Sequence, residues 1–163
     1  MVEAQIEEFI AKGHEVTTFT SCDSEISGQL YPITPIALNH SEHRDPEVLR
    51  MAQLIKTLEN SYAFDVVHCH LHANTGWMGL PILAPIAYKT VFSLHTFSTY
   101  ENRQLVSMFP DAHFVAASKS HAASYNNPHI KDYVYHGLRM DDFKFQNETD
   151  DEPYLAFLGR IRP

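Results

Sequence analysis

The chain has little cysteine, little glycine and a shortage of positive charge. Its 163 residues include two cysteines, Cys22 and Cys69. Two are too few for a disulfide framework, and their scarcity points to a reducing, cytoplasmic compartment. Twelve Lys and Arg stand against twenty Asp and Glu, a formal charge of −8. That balance excludes a nucleic-acid grip, which needs clustered cations. No apolar run reaches the length that crosses a bilayer, so an integral membrane segment is not expected. Glu3, Glu7 and Glu8 near the start are foreign to a signal peptide. With six glycines, the chain has no G-x-G-x-x-G and no G-x-x-x-x-G-K-[ST], so a self-contained nucleotide site is not evident.

What is present is an alternation of two periods. Val2, Ile6, Phe9 and Ile10 share one face of a helix over 1–12, with Gly13 placed to end it. Asp45, Pro46 and Glu47 open a second helix over 46–60, with the Asp45 carboxylate as cap and Val48, Met51, Ile55 and Leu58 as its apolar face. Further helices are predicted over 74–83, interrupted by Pro81, and over 100–108 and 119–125. Short apolar strands are predicted over 14–20, 64–70, 89–95, 112–118 and 130–136, with a lesser one near 33–38. An apolar run at 155–158 follows an acidic stretch and reads as one more strand. Strands of this kind between helices predict an α/β fold: a doubly wound, mainly parallel, Rossmann-like sheet covered on both faces. In such sheets ligands bind outside the carboxyl ends of the strands.

Several of those strand ends carry side chains able to do chemistry. His68, His70 and His72 recur at a spacing of two, which on a strand turns them to one face, where three imidazoles suit Zn²⁺. No HExxH or carboxylate-rich motif supports a zinc hydrolase, and His72 falls past the strand end. A polar strand end facing a ligand is the favoured reading, and no metal is expected. His95 follows the apolar strand at 89–95, where a neutral imidazole can donate to a sugar hydroxyl or stabilise developing charge. Ser118 lacks a G-x-S-x-G elbow and reads first as the cap of the helix at 119–125.

The ordered set Gly13–Phe19, Phe64–His70, Thr90–His95, Phe114–Ser118, Val134–Leu138 with Asp141 and Phe143, and Tyr154–Ile161 resembles the family 4 retaining glycosyltransferases of GT-B architecture over nearly the whole chain. That resemblance implies two Rossmann-like domains across a cleft, with the acceptor mainly on the N-terminal one and a nucleotide-sugar donor on the other. It implies hexose transfer with retention and no metal in the site. By position, His95 is similar to the cleft histidine near the reaction centre and is the candidate catalytic residue. His70, Ser118 and Gly137 are similar to residues lining the substrate cleft, with His136 where the family has Asn before the glycine. Arg160 is similar to the arginine that contacts the donor diphosphate.

The resemblance divides the chain into an acceptor-side domain over 1–147 and, over 148–163, a linker with the first strand of a donor-binding domain. The family's usual first strand and glycine-rich loop, which precede the helix at 1–12, are not in the chain. The expectation is a domain of a hexosyltransferase that is inactive alone. It would bind no cofactor itself and would need a donor-binding domain or companion chain to bring nucleotide sugar and a glycan or small-molecule acceptor together. The alternatives are a non-catalytic domain binding a glycan or a protein, and a metal hydrolase built on His68 and His70. Exposed apolar edges imply self-association, and the run at 155–158 is expected to fill the gap between the strands at 14–20 and 64–70.

Overall fold

The computed structural model describes residues 2–38, 43–72, 76–130, 132–137, 139, 155 and 157. Helix α1 spans Val2–Ala11. It closes where the Gly13 N–H donates to the Ile10 carbonyl at 2.9 Å and the His14 N–H to the Phe9 carbonyl at 3.0 Å. That paired closure needs a left-handed residue, and Gly13 takes φ 88°. Strands β1 (Thr17–Ser21) and β2 (Gln29–Thr34) then form a parallel two-stranded sheet. Gly28 precedes β2 at φ +87, and a Cβ there would stand 2.7 Å from the Val16 carbonyl oxygen. That same oxygen accepts from the Gln29 N–H at 2.8 Å, so the glycine permits the first bond of the ladder. The strand expected near 33–38 thus lies earlier, in register with Thr17. Pro32 fits because β2 is an edge and the missing N–H breaks no ladder.

The second sheet contains β3 (Val67–Leu71), β4 (Thr90–Leu94), β5 (His113–Ala116) and β6 (Asp132–Tyr133). All are parallel and lie side by side in chain order. Around them run α2 (Pro46–Glu59), α3 (Gly79–Leu83), α4 (Tyr100–Ser107) and α5 (Lys119–Ser124). The core gathers Leu71, Phe92, Leu94 and Phe114 from the strands with Leu80, Leu83, Val106 and Tyr125 from the helical side. Phe92 and Phe114 pack ring to ring at 5.8 Å. Parallel strands with covering helices make this an α/β, Rossmann-like domain, as the sequence pattern indicates. No helix among the described residues is long and apolar enough to cross a membrane.

Four local expectations change. The segment around Pro81 is a 3-10 turn (Gly76–Met78), α3 and a second 3-10 stretch (Ala84–Lys89). Pro81 lies in the first turn of α3, where a missing N–H removes no helical bond. Asp45 makes no side-chain cap to α2, which starts on Pro46 alone. The Val48–Met51–Ile55 face of α2 is exposed, Val48 at 57%, while Leu54 and Leu58 pack on the core. The strand at 130–136 shrinks to Asp132–Tyr133, although the Val134 N–H still donates to the Ala116 carbonyl at 2.9 Å.

The two sheets share no ladder among the described residues. The expectation that 155–158 fills the space between β1 and β3 fails at Leu155 and Phe157, which lie outside any strand, 103% and 76% exposed. Ala156 and Leu158 lie outside the described residues. Side chains meet part of the demand instead. The Gln53 side-chain amide of α2 donates to the Phe19 carbonyl of β1, and Phe19 packs edge-on to Phe64 at 5.9 Å and against Tyr31 at 4.8 Å. A buried backbone carbonyl needs some donor, and a helix side chain serves as well as a strand.

Candidate functional site

Strand periodicity turns His68 and His70 of β3 to one face, opposite Cys69, whose sulfur packs toward Gly79. A Cβ at Gly79 would stand 2.7 Å from Cys69 Sγ, so glycine lets α3 close on β3. Burial pushes the Cys69 thiol up to about 12, which leaves it an inert packing group. The next strand supplies the partners. Ser93 lies beside His70 in register, and His68 Nε2 hydrogen-bonds Ser93 Oγ at 2.7 Å.

His95 lies one residue past β4. Its backbone N–H donates to the Leu71 carbonyl at 3.1 Å, which continues the ladder beyond the strand ends and fixes the imidazole above them. There His70 Nδ1 and His95 Nε2 stand 2.9 Å apart. His72 stacks on His95 with ring centroids 4.6 Å apart and planes within 13°. His136 lies nearly parallel to it at 5.8 Å. The cluster therefore brings together His68, His70, His72, His95 and His136.

Burial, followed by the neighbouring imidazoles His68, His95 and His72, lowers the His70 pKa to about 3. Burial, followed chiefly by His72 and His136, lowers that of His95 to about 4. Desolvation alone lowers His68. No carboxylate is among the causes for His70 or His95, so nothing restores a charge. Both rings are neutral near pH 7. In a neutral pair one nitrogen donates to the other, leaving each ring an acceptor or donor for a ligand hydroxyl. Among the described residues no three His, Cys, Asp or Glu stand where they would hold a metal ion. His72 stacks on a neighbouring ring, and His68 is spent on Ser93.

The segment after His95 is pinned by residues that the sequence pattern did not single out. The Thr96 carbonyl accepts from His121 Nε2 at 2.6 Å and from the Tyr125 hydroxyl at 2.8 Å. His121 Nδ1 accepts from the Ala117 N–H at 3.1 Å, which sets its tautomer with the proton on Nε2. Asn102 Nδ2 donates to the Phe97 carbonyl at 3.2 Å, and the Ser98 hydroxyl donates to the Ser124 carbonyl at 2.5 Å. Thr99 and Asn102 exchange reciprocal bonds as a capping box at the start of α4. Asn102 stands where the capping-box signature has Glu or Gln, so the box was not explicit in the sequence, and the buried His121 left no signal, being one histidine among eleven.

Ser118 is the N-cap of α5, its Oγ accepting from the His121 N–H at 3.1 Å. It is joined to the cluster through His121, the ring that holds Thr96. Gly137 is exposed, and a Cβ there would meet nothing within 4 Å, so the fold makes no demand for glycine at that position. Arg160 lies outside the described residues.

No curated protein matches the chain. The family comparison is decisive over most of its length: residues 1–141 match Glycosyltransferase Family 4. Taken with the parallel α/β domain and its polar groups at the strand ends, that match shows that the chain belongs to Glycosyltransferase Family 4.

Proposed function

We propose that the chain is the acceptor-side domain of a hexosyltransferase that uses a nucleotide-sugar donor, with His95 at the reaction centre. The observation that carries this reading is the neutral His70–His95 pair, ring nitrogens 2.9 Å apart, fixed above the ends of β3 and β4. In the transfer, the bond from the anomeric carbon to the nucleoside diphosphate breaks and a bond to an acceptor oxygen forms on the same face of the sugar. The acceptor proton leaves with the departing diphosphate. A neutral imidazole suits the neighbourhood of that centre, since it can hydrogen-bond sugar hydroxyls without adding a fixed charge. His70 positions His95, and His121 with Tyr125 positions the backbone that follows it.

A second domain or companion chain, which would begin near Tyr154–Arg160, supplies the donor site, with Arg160 on the diphosphate. Holding both reactants together, with the acceptor oxygen on the face that the diphosphate leaves, is what makes the transfer fast, so an acceptor half without a donor site is not expected to carry it out. The test incubates labelled nucleotide hexoses and a panel of glycosides with the full chain, alone and with a family 4 donor-binding domain added. Transfer is expected only in the second case, and His95→Ala abolishes it while the protein stays folded. Undiminished transfer by His95→Ala removes His95 from the reaction centre. Glycoside binding with no transfer for any donor leaves a non-catalytic glycan-binding domain.

A further inference from the structure

Beside the histidine cluster lies a cavity of about 380 Å³, lined by Trp77, Thr96, Phe97, Thr99, Glu101 and Leu105, with Asn102 behind them. Its size falls in the lower part of the range for small-ligand sites, roughly 300–1,000 Å³. Its lining is of two kinds. Trp77 packs against the core from one side, and Phe97 is 78% exposed. A large aromatic left in water at a cavity mouth is a stacking surface in need of a partner. Between them lie oxygens. Thr96 Oγ1 is buried with no hydrogen-bond partner among the described residues. Thr96 Oγ1 is closed even to a molecule the size of water, so the oxygen of this wall that a ligand can reach is the exposed Glu101 carboxylate.

We propose that this cavity takes one neutral pyranose ring of the acceptor. The apolar C–H face of the ring lies on Trp77 and Phe97, and its hydroxyls donate to the Glu101 carboxylate. A purely apolar ligand offers no donor to the Glu101 carboxylate. An anionic ligand such as a sugar phosphate meets the Glu101 charge, which its own backbone N–H and the Thr99 hydroxyl hold below the usual carboxylate range. A sugar ring presents one apolar face and several hydroxyls together, which is what the lining asks for. The cavity is also preformed, because the carbonyls of Thr96 and Phe97 are tied to His121, Tyr125 and Asn102. Thr96 follows His95 directly, so a ring seated here lies beside the imidazole. The assignment names the acceptor class for the transferase reading above and rests on it for the word acceptor, but not for the binding.

Trp77 is the chain's one tryptophan, so its fluorescence reports this cavity alone. The full chain is titrated with methyl glucopyranoside, galactopyranoside and mannopyranoside, and with sorbitol and cyclohexanol as a hydroxyl-rich open chain and a hydroxyl-poor ring. At least one pyranoside is expected to change the emission saturably in the millimolar range, with neither control doing so. Phe97→Ala, at an exposed position, weakens that binding about tenfold or more, and Glu101→Ala weakens it by about threefold. No saturable pyranoside response, equal response to sorbitol, or unchanged affinity in Phe97→Ala overturns the proposal. Pyranoside binding without transfer in the assay above refutes the transferase reading alone. Transfer whose acceptor KM is unmoved by Phe97→Ala refutes the cavity alone.

Discussion

The two sheets differ in how they are held. The four-stranded sheet β3–β6 lies around nearly all of the buried apolar side chains, with Phe92, Leu94, Leu71 and Phe114 almost wholly inaccessible. Of α1, β1 and β2, only Ile6, Ser21 and Thr34 are buried, and two of those are polar. The first region is a packed core that carries a site; the second leans on α2 through Gln53 and on Phe64 through Phe19. Since burial of apolar surface is the main source of stability, the second region is expected to open first.

The largest effect should come from the core. Phe92→Ala is expected to destabilise by about 3–5 kcal/mol, whereas Phe19→Ala, at a half-buried position in β1, should lose about 1–2 kcal/mol. Urea unfolding measures both. Equal losses would break the distinction between the sheets, and amide exchange faster in 17–34 than in 90–94 would sharpen it. Gly79→Ala comes next. Its Cβ, 2.7 Å from Cys69 Sγ and 3.2 Å from Leu71 Cδ2, forces α3 off β3 and should lose about 1–3 kcal/mol. An unchanged melting temperature would mean that α3 is loosely seated.

How much of this was readable in the sequence also divides between the sheets. β3, β4 and α4 lie close to their predicted places, because short apolar runs bounded by polar residues are explicit signals. β2 was misplaced because its position is set by pairing with β1 and by Gly28, a long-range constraint with no local period. The apolar face of α2 was misread in part for a related reason: Leu58 packs on the core as its spacing indicates, but Val48, Met51 and Ile55 do not, and the position of α3 brings in Leu54 instead. At the site, His70 and His95 were legible as residues at strand ends. Their mutual contact was not, since it depends on the register that sets His70 opposite Ser93. The cavity beside Phe97 had no signature, being lined from a turn, a loop and a helix.

Acid should weaken the region that is otherwise the stronger. The folded pKa values of His70 and His95, about 3 and about 4, lie below the ordinary histidine value of 6.5. The unfolded chain therefore takes up protons that the folded one refuses. Their contribution is full above about pH 6.5 and is lost as pH falls through the window down to about 4 and then 3. Both rings keep some contact with water, so the loss should be smaller than that from Phe92→Ala. A urea midpoint that falls between pH 6.5 and 4, and falls less in His70→Gln, is the expected result. A midpoint flat across that window would show the cluster to be open to solvent.

Ser118→Ala should have the smallest effect on stability and tests whether the site depends on the helix that supports it. Loss of an N-cap oxygen costs about 1 kcal/mol, and α5 is short, so its first turn frays when the His121 N–H loses its acceptor. The consequence runs along a chain of contacts: Ser118 caps the turn, that turn carries His121, and His121 Nε2 holds the Thr96 carbonyl. Thr96 in turn fixes the backbone between His95 and Phe97. A direct ligand contact by Ser118 and a role through His121 therefore predict different outcomes. If Ser118 acts through His121, then Ser118→Asp, which restores a capping oxygen of different size, recovers the pyranoside affinity that Ser118→Ala loses. If Ser118 touches the ligand, the added carboxylate weakens binding further. Comparing the two variants by Trp77 fluorescence decides whether the strong half of the molecule is rigid because of its core or because of its caps.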